Sequence, residues 1–93
     1  MDQPGQIVHN EAQQRFELSI GGQLARADYR LVDGVIHMVH TEVPRQYEGR
    51  GLAARLVRAA IAHARANGYK MRPACSYVRT YFARHQQDED VLA

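Results

Sequence analysis

Apolar and polar residues alternate along the first half of the chain, and in the second half apolar residues recur every three to four positions. From Arg15 the alternation is regular: Phe16, Leu18 and Ile20 point one way and Arg15, Glu17 and Ser19 the other, as a half-buried strand requires. Before it, Ile7 to Asn10 is a short run containing apolar residues, and Glu11 to Gln14 reads as a polar turn. Gly21-Gly22 predicts a two-residue hairpin loop. Gln23 to Val32 alternates again, with Ala25, Ala27, Tyr29 and Leu31 opposed to Leu24, Arg26, Asp28 and Arg30, and Asp33-Gly34 predicts a second tight hairpin. Val35 to Val43 carries Val35, Val39 and Val43 on one side and Ile36 and Met38 on the other, the pattern of a central strand covered on both faces.

Pro44 lacks a ladder donor and ends that strand. Further on, Leu52, Ala53, Leu56, Val57, Ala60, Ile61 and Ala64 form one stripe opposite Arg55, Arg58, Ala62 and Arg65, which predicts a helix over 51–67. Asn67-Gly68 is its stop signal. Tyr69 to Cys75 reads as a strand, and a strand, helix and strand in this order pair in parallel, so it is expected beside Val35 to Val43. Ser76 is the expected N-cap of a last helix, Tyr77 to His85, with Tyr77, Val78, Tyr81 and Phe82 on one face. The expected fold is α/β of the α+β kind: a mainly antiparallel mixed sheet, one parallel strand-helix-strand crossover and two helices. One domain spans residues 1–93, with loose tails expected at 1–6 and 86–93.

The chain of 93 residues is 45% hydrophobic, ordinary for a globular protein, and has no apolar run near the roughly 20 residues that cross a bilayer. Its first six residues are polar and lack the pattern of a signal peptide. A single cysteine, Cys75, excludes an internal disulfide and fits a reducing compartment, so a cytoplasmic location is expected. Charge is uneven. Residues 1–41 hold three arginines against five carboxylates, whereas 42–87 hold eight arginines and Lys70 against only Glu42 and Glu48. A basic half suits a polyanionic ligand, nucleic acid or a solvated helix face, and charge alone does not choose among them. The five histidines show no metal-ligand spacing, and no metal site is expected.

The candidate chemistry centres on Gln46-Tyr47-Glu48-Gly49-Arg50-Gly51, at the junction of strand and helix. Two glycines there let successive amides turn toward one point, and a helix N-terminus offers unpaired N–H groups and a partial positive charge. Such a site cradles phosphate, a pyrophosphate in particular. An isolated Gly-x-Gly also occurs in turns that bind nothing.

Three motifs in order resolve that ambiguity. Gln46-x-x-Gly49-x-Gly51 before the long helix, with His40-Thr41-Glu42-Val43-Pro44 ahead of it and Pro73-x-Cys75-Ser76-Tyr77 behind, resembles the GNAT-type N-acetyltransferases, and within them a small one-domain subfamily. The match covers roughly residues 5–85; Arg45, and a tail after His85 without Pro-Glu-Tyr, depart from the subfamily pattern. The resemblance implies a GNAT-like fold that binds acetyl-CoA and transfers its acetyl group to an amine by direct attack. It implies a gap between the central strand and its parallel neighbour, at Glu42-Val43 and Ala74-Cys75, where the pantetheine arm lies.

On that reading Gln46, Gly49, Gly51, Leu52 and Ala53 hold the pyrophosphate, Arg45 and Arg50 add charge, and Glu42, Val43, Cys75 and Ser76 meet the thioester end. An amine with a pKa near 10.4 must lose a proton before it attacks, at a cost of roughly 4.6 kcal/mol at pH 7, which a base offsets in part. Glu42 is the first candidate base and His40, two residues earlier on the same strand face, the second; alternatively Glu42 only pairs with an arginine. Cys75 is a packed hydrophobe, a coenzyme contact or an acetyl acceptor, the last favoured by a following helix N-terminus that lowers its pKa. Tyr81 lies where the family keeps a tyrosine that protonates the departing thiolate; Tyr77 lies nearer the cradle, and either also fits a core role. The expected acceptor is a small molecule or a protein amine, on a monomer or homodimer, with no membrane and no nucleic acid. An acyl-CoA-binding module without turnover is the alternative, and a nucleic-acid domain using Arg55, Arg58, Arg65, Arg72 and Arg79 ranks last.

Overall fold

The computed structural model describes residues 3–93. Met1 and Asp2, the beginning of the stretch expected to be loose, lie outside the described residues. Strands β1 (Val8–Asn10), β2 (Arg15–Ile20), β3 (Gln23–Val32), β4 (Val35–Glu42) and β5 (Lys70–Pro73) form one sheet in sequential order. The first four run antiparallel and β5 pairs with β4 in parallel, Val35 facing Lys70 and Met38 facing Pro73. Both hairpins are as the dipeptides predict, with positive φ at Gly21 and Gly22 and at Asp33 and Gly34.

Helix α1 (Leu52–Asn67) lies across the sheet and buries Leu52, Leu56, Val57, Ala60, Ile61 and Ala64. Gly68 closes it: the Gly68 amide donates to Arg65 O and the Tyr69 amide to Ala64 O, the paired bonds of a left-handed glycine stop. Helix α2 (Ser76–Arg84) adds Val78, Tyr81 and Phe82 to the same core. It starts one residue before the expected Tyr77, so Cys75, not Ser76, is its N-cap. The residue that leaves the strand in extended backbone caps the helix that follows directly.

The structure corrects the expectation that β4 is covered on both faces. Both helices pack on one face, where Phe16, Leu18, Ile20, Ala25, Ala27, Tyr29, Ile36 and Met38 are buried. None of the outward positions on β2–β5 is buried. The apolar residues on the second side of β4 have another cause. Pairing shifts between Asp28–His40 and Tyr29–Met38, leaving Val39 as an extra residue on β4. This bulge reverses the period of two, so Met38 and Thr41 face the helices, while His40 and Glu42 face outward and Val39 is 42% exposed.

The C-terminal segment is also not loose. Gln86–Val91 forms a short 3₁₀ helix that buries Val91, and Ala93 donates its amide to Met71 O at the edge of β5. Arg65 on α1 holds Asp88 at 3.0 Å and Asp90 at 2.6 Å. These contacts tie the segment to α1, and Asp88 also accepts a bond from Tyr81 at 3.4 Å. Among the described residues no helix is long and apolar enough to cross a membrane.

Candidate functional site

The bulge and a proline open the sheet where the sequence places its candidate chemistry. β4 and β5 pair only as far as Met38–Pro73; beyond that Pro73 offers no N–H and Val39 is out of register. The strands therefore part ahead of Thr41–Val43 on one side and Ala74–Cys75 on the other. At the open end Pro44 starts a single 3₁₀ turn, Arg45–Tyr47, whose buried Tyr47 anchors the following loop to the core. That loop brings Gly49 and Gly51 to the head of α1 with φ of 81° and 77°.

At these two positions the glycine is required by conformation and not by crowding. Positive φ disfavours any side chain. A Cβ at either residue would meet no atom within 4 Å, so the space in front of both is open. Gly51 is the N-cap of α1, and no side chain caps that helix end. A cleft of about 500 Å³ lies there, lined by Thr41, Glu42, Val43, Glu48, Gly49, Gly51, Leu52, Ala53 and Tyr77. An uncapped helix end facing an open cleft is an anion site, with unpaired amides and the positive end of the helix dipole directed into it.

The second helix N-terminus reaches the same region. Cys75 is its N-cap, and its thiol donates to the Thr41 hydroxyl at 3.7 Å across the gap. Burial raises the Cys75 pKa, but the bond with Thr41, the Val78 and Tyr77 amides and the Thr41 backbone more than reverse this, and the thiol ends below its ordinary value.

Comparison with known proteins agrees with this geometry. Residues 15–91 match the sequence profile of the GCN5-related N-acetyl-transferase family. The chain belongs to that family. It is 32% identical to Protein NATD1 of Gallus gallus, over 84% of this chain and 74% of the relative, and 31% identical to Protein NATD1 of Homo sapiens, over 84% and 72%. It also resembles the NMR structure of a GCN5-like protein from Staphylococcus aureus, with a TM-score of 0.76 and 27% identity over 95% of this chain and 87% of that one.

In this GCN5-related chain the expected site residues fall into three groups. Glu42, Val43, Gly49, Gly51, Leu52 and Ala53 line the cleft together, and Cys75 with Ser76 stands beside it at the head of α2. Arg45, Gln46 and Arg50 are exposed and lie outside the lining; the Arg50 guanidinium rests 5.2 Å from the Tyr47 ring centre. His40 and Glu42 do share a strand face, and that face points away from the helices. The Glu42 carboxylate is 3.2 Å from His40 Nε2 and 3.3 Å from Arg26, with its side chain 53% exposed. The carboxylate thus sits in surface ion pairs on the outer side of the gap.

Tyr81 is buried and turned toward Asp88, with its pKa raised by burial and by that carboxylate against the Arg58 guanidinium. Tyr77, 37% exposed, is the phenol on the cleft wall; burial raises its pKa, and Arg58 and Arg84 work against the shift. Thr41 and Glu48 were not foreseen. Period-two reading turns Thr41 away from Cys75, and only the bulge corrects this. Glu48 carries no sequence signal that separates it from an ordinary loop carboxylate, and its charge opposes an anion in the cleft.

Proposed function

We propose that this chain binds acetyl-CoA at the head of α1 and transfers the acetyl group to an amine. The observation that carries the reading is the bare N-terminus of α1, with Gly49 and Gly51 left-handed and nothing in front of them, opening onto the cleft. The Gly49 to Ala53 backbone holds the diphosphate, as helix N-termini hold phosphates. Arg50 and Arg45 are exposed counter-charges beside it. Acetyl-CoA supplies a thioester, an acyl group activated for attack by an amine. The main chain beside Val43, left unpaired where β4 and β5 part, orients the amide-rich arm of the ligand. Tyr77, exposed on the cleft wall where Tyr81 is buried, is the proton donor for a departing thiolate.

Glu42 and His40 stand on the outward side of the gap and act as the proton-accepting pair for the incoming ammonium, Glu42 first. A second reading is that Cys75 takes the acetyl group before the amine does, favoured by its lowered pKa and its place at a helix N-terminus. The experiment is thermal stabilisation by acetyl-CoA and by CoA, followed by CoA release with a panel of amines. Binding of both coenzymes with release of free CoA supports transfer. Binding without release to any amine leaves a coenzyme-binding module, and no stabilisation by either overturns the proposal. Intact-mass analysis after acetyl-CoA alone separates the two routes, since only the Cys75 route leaves an acetylated chain.

A further inference from the structure

Cross-strand register aligns three basic side chains on the outward face of the sheet. Arg30 on β3 faces His37 on β4, and His37 faces Arg72 on β5. All three lie on the face without helices, Arg30 and Arg72 exposed and His37 half-buried between the buried Ile36 and Met38. The strands are about 4.8 Å apart, so the two arginine backbones stand roughly 10 Å from each other across His37. Two long side chains from those positions reach a common point above the imidazole.

The two arginine charges so aligned oppose one another, and sheets ordinarily relieve this with an opposite charge across the strand. Neighbouring positions carry opposite charges, either across the strand or two residues along it. Toward the open end of the gap, Arg26 is paired with Asp28 at 3.2 Å and with Glu42 at 3.3 Å, and Arg15 with Glu17 at 2.6 Å. The Arg30–His37–Arg72 row has no such relief. Among the described residues no carboxylate forms an ion pair with any of the three, and Arg30 donates only to the Tyr29 carbonyl, at 2.9 Å.

Place gives this row a use. The cleft at the head of α1 lies on the helix side, and the parting of β4 and β5 joins it to the outward face, where no helix stands in the way. On the acetyl-transfer reading, the outward face past His40 and Glu42 is an open approach for an acceptor amine. Arg72 is three residues before Cys75, roughly 10 Å along the chain at about 3.3 Å per residue. The row is thus within one small molecule's length of the reacting end.

We propose that Arg30, His37 and Arg72 hold an oxyanion of the acceptor, so that the substrate is an amine that also carries a phosphate or a carboxylate several bonds away. This rests on the acetyl-transfer reading of the cleft. The negative group is drawn to the row, and the ammonium at the other end is drawn to Glu42. The acceptor is oriented by charge complementarity at both ends.

The test is calorimetric binding of 6-aminohexyl phosphate, 6-aminohexanoate and hexylamine to the CoA-saturated chain, and to its Arg30→Gln/Arg72→Gln variant. We expect one or both anionic amines to bind at least tenfold more tightly than hexylamine, and the variant to lose that preference while keeping its CoA affinity. Tighter binding of the phosphate arm assigns a phosphate acceptor, and of the carboxylate arm an amino acid. The single variant Arg72→Gln, at an exposed edge position, repeats the test should the double variant fold poorly, with at least a threefold loss expected. Equal affinity for all three amines, or an unchanged preference in the variants, overturns the proposal. Failure to release CoA with any amine would count against acetyl transfer and not against this oxyanion site, because these affinities are read without turnover.

Discussion

The N-termini of α1 and α2 meet beside one cleft, neither closed by a side-chain hydrogen bond, and they differ in the residue that stands at the cap. At α1 the cap is Gly51, with no side chain, and the amides open onto empty space. At α2 the cap is Cys75, whose sulfur lies among the Val78 and Tyr77 amides that shift its pKa downward. One helix end is left for a charge brought from outside; the other acts on a charge that the chain makes itself. On the proposed function the same dipole physics would serve binding at one end and reactivity at the other, with the cap residue deciding which.

The most severe way to break the comparison is to give α1 the charge it lacks. In Gly51→Asp a carboxylate caps the helix and stands where the phosphate charge belongs. Repulsion of about 2–4 kcal/mol, intermediate between water and a protein surface, would weaken coenzyme binding about 30-fold to 1000-fold by calorimetry. Part of any stability loss comes from φ of 77°, so Gly51→Asn is the matched control: similar strain and size, no charge, and a much smaller loss of affinity. Equal losses in the two variants would show that backbone strain and not charge explains the effect.

A middle-sized effect is expected from removing the thiol. Cys75→Ala leaves the Thr41 hydroxyl without its partner and a small void at the head of α2, and should cost about 1 kcal/mol of stability in denaturant unfolding. CoA affinity should change less than threefold, because the diphosphate end belongs to α1. A large loss of affinity would mean that the two helix ends do not divide the work as described.

The parts that were legible in the sequence are those with local causes. Gly21-Gly22, Asp33-Gly34 and Asn67-Gly68 each set a turn through their own φ preferences, and the stripe from Leu52 to Ala64 specified the buried side of α1. Gly49, Gly51, Leu52 and Ala53 were legible at the cleft for the same reason. The illegible parts depend on distant partners. Val39 bulges because of its pairing with β3, which turned His40 and Glu42 outward and Thr41 toward Cys75. The 86–93 segment is acidic and polar by itself, and only Arg65, 23 and 25 positions before Asp88 and Asp90, shows why it docks.

A third helix-associated group, His9, sharpens the contrast from outside the site. It stacks on Phe16 with ring centres 4.1 Å apart and lies 4.4 Å from the His63 ring on α1, and burial, then His63, lower its pKa from 6.5 against a smaller opposing pull from Glu11. The folded state therefore binds this proton less readily than the unfolded chain. Its stabilisation is complete above pH 6.5 and is lost as pH falls below that toward the lowered folded value. Thermal unfolding of His9→Gln should lose less stability than the parent between pH 7 and pH 5. CoA affinity should keep the same pH profile in both, since His9 is remote from the cleft lining.

The smallest expected effect tests the α2 end directly. Thr41→Val keeps the shape of the side chain and removes the hydroxyl that helps to lower the Cys75 pKa. The thiol pKa should rise toward its ordinary value, and iodoacetamide labelling at pH 7 should slow about twofold, the worth of a weak hydrogen bond of roughly 0.5 kcal/mol. The linked stability has a defined sign. A depressed folded pKa favours the folded state above the unfolded thiol value of 9.0 and stops doing so as pH falls through the folded value, so the parent should gain stability over Thr41→Val only in alkaline buffer. Coenzyme affinity at pH 7 should be the same in parent and variant. A labelling profile that does not move would show that the α2 amides alone set the thiol, and an affinity that does move would place Thr41 in the binding of the ligand at α1.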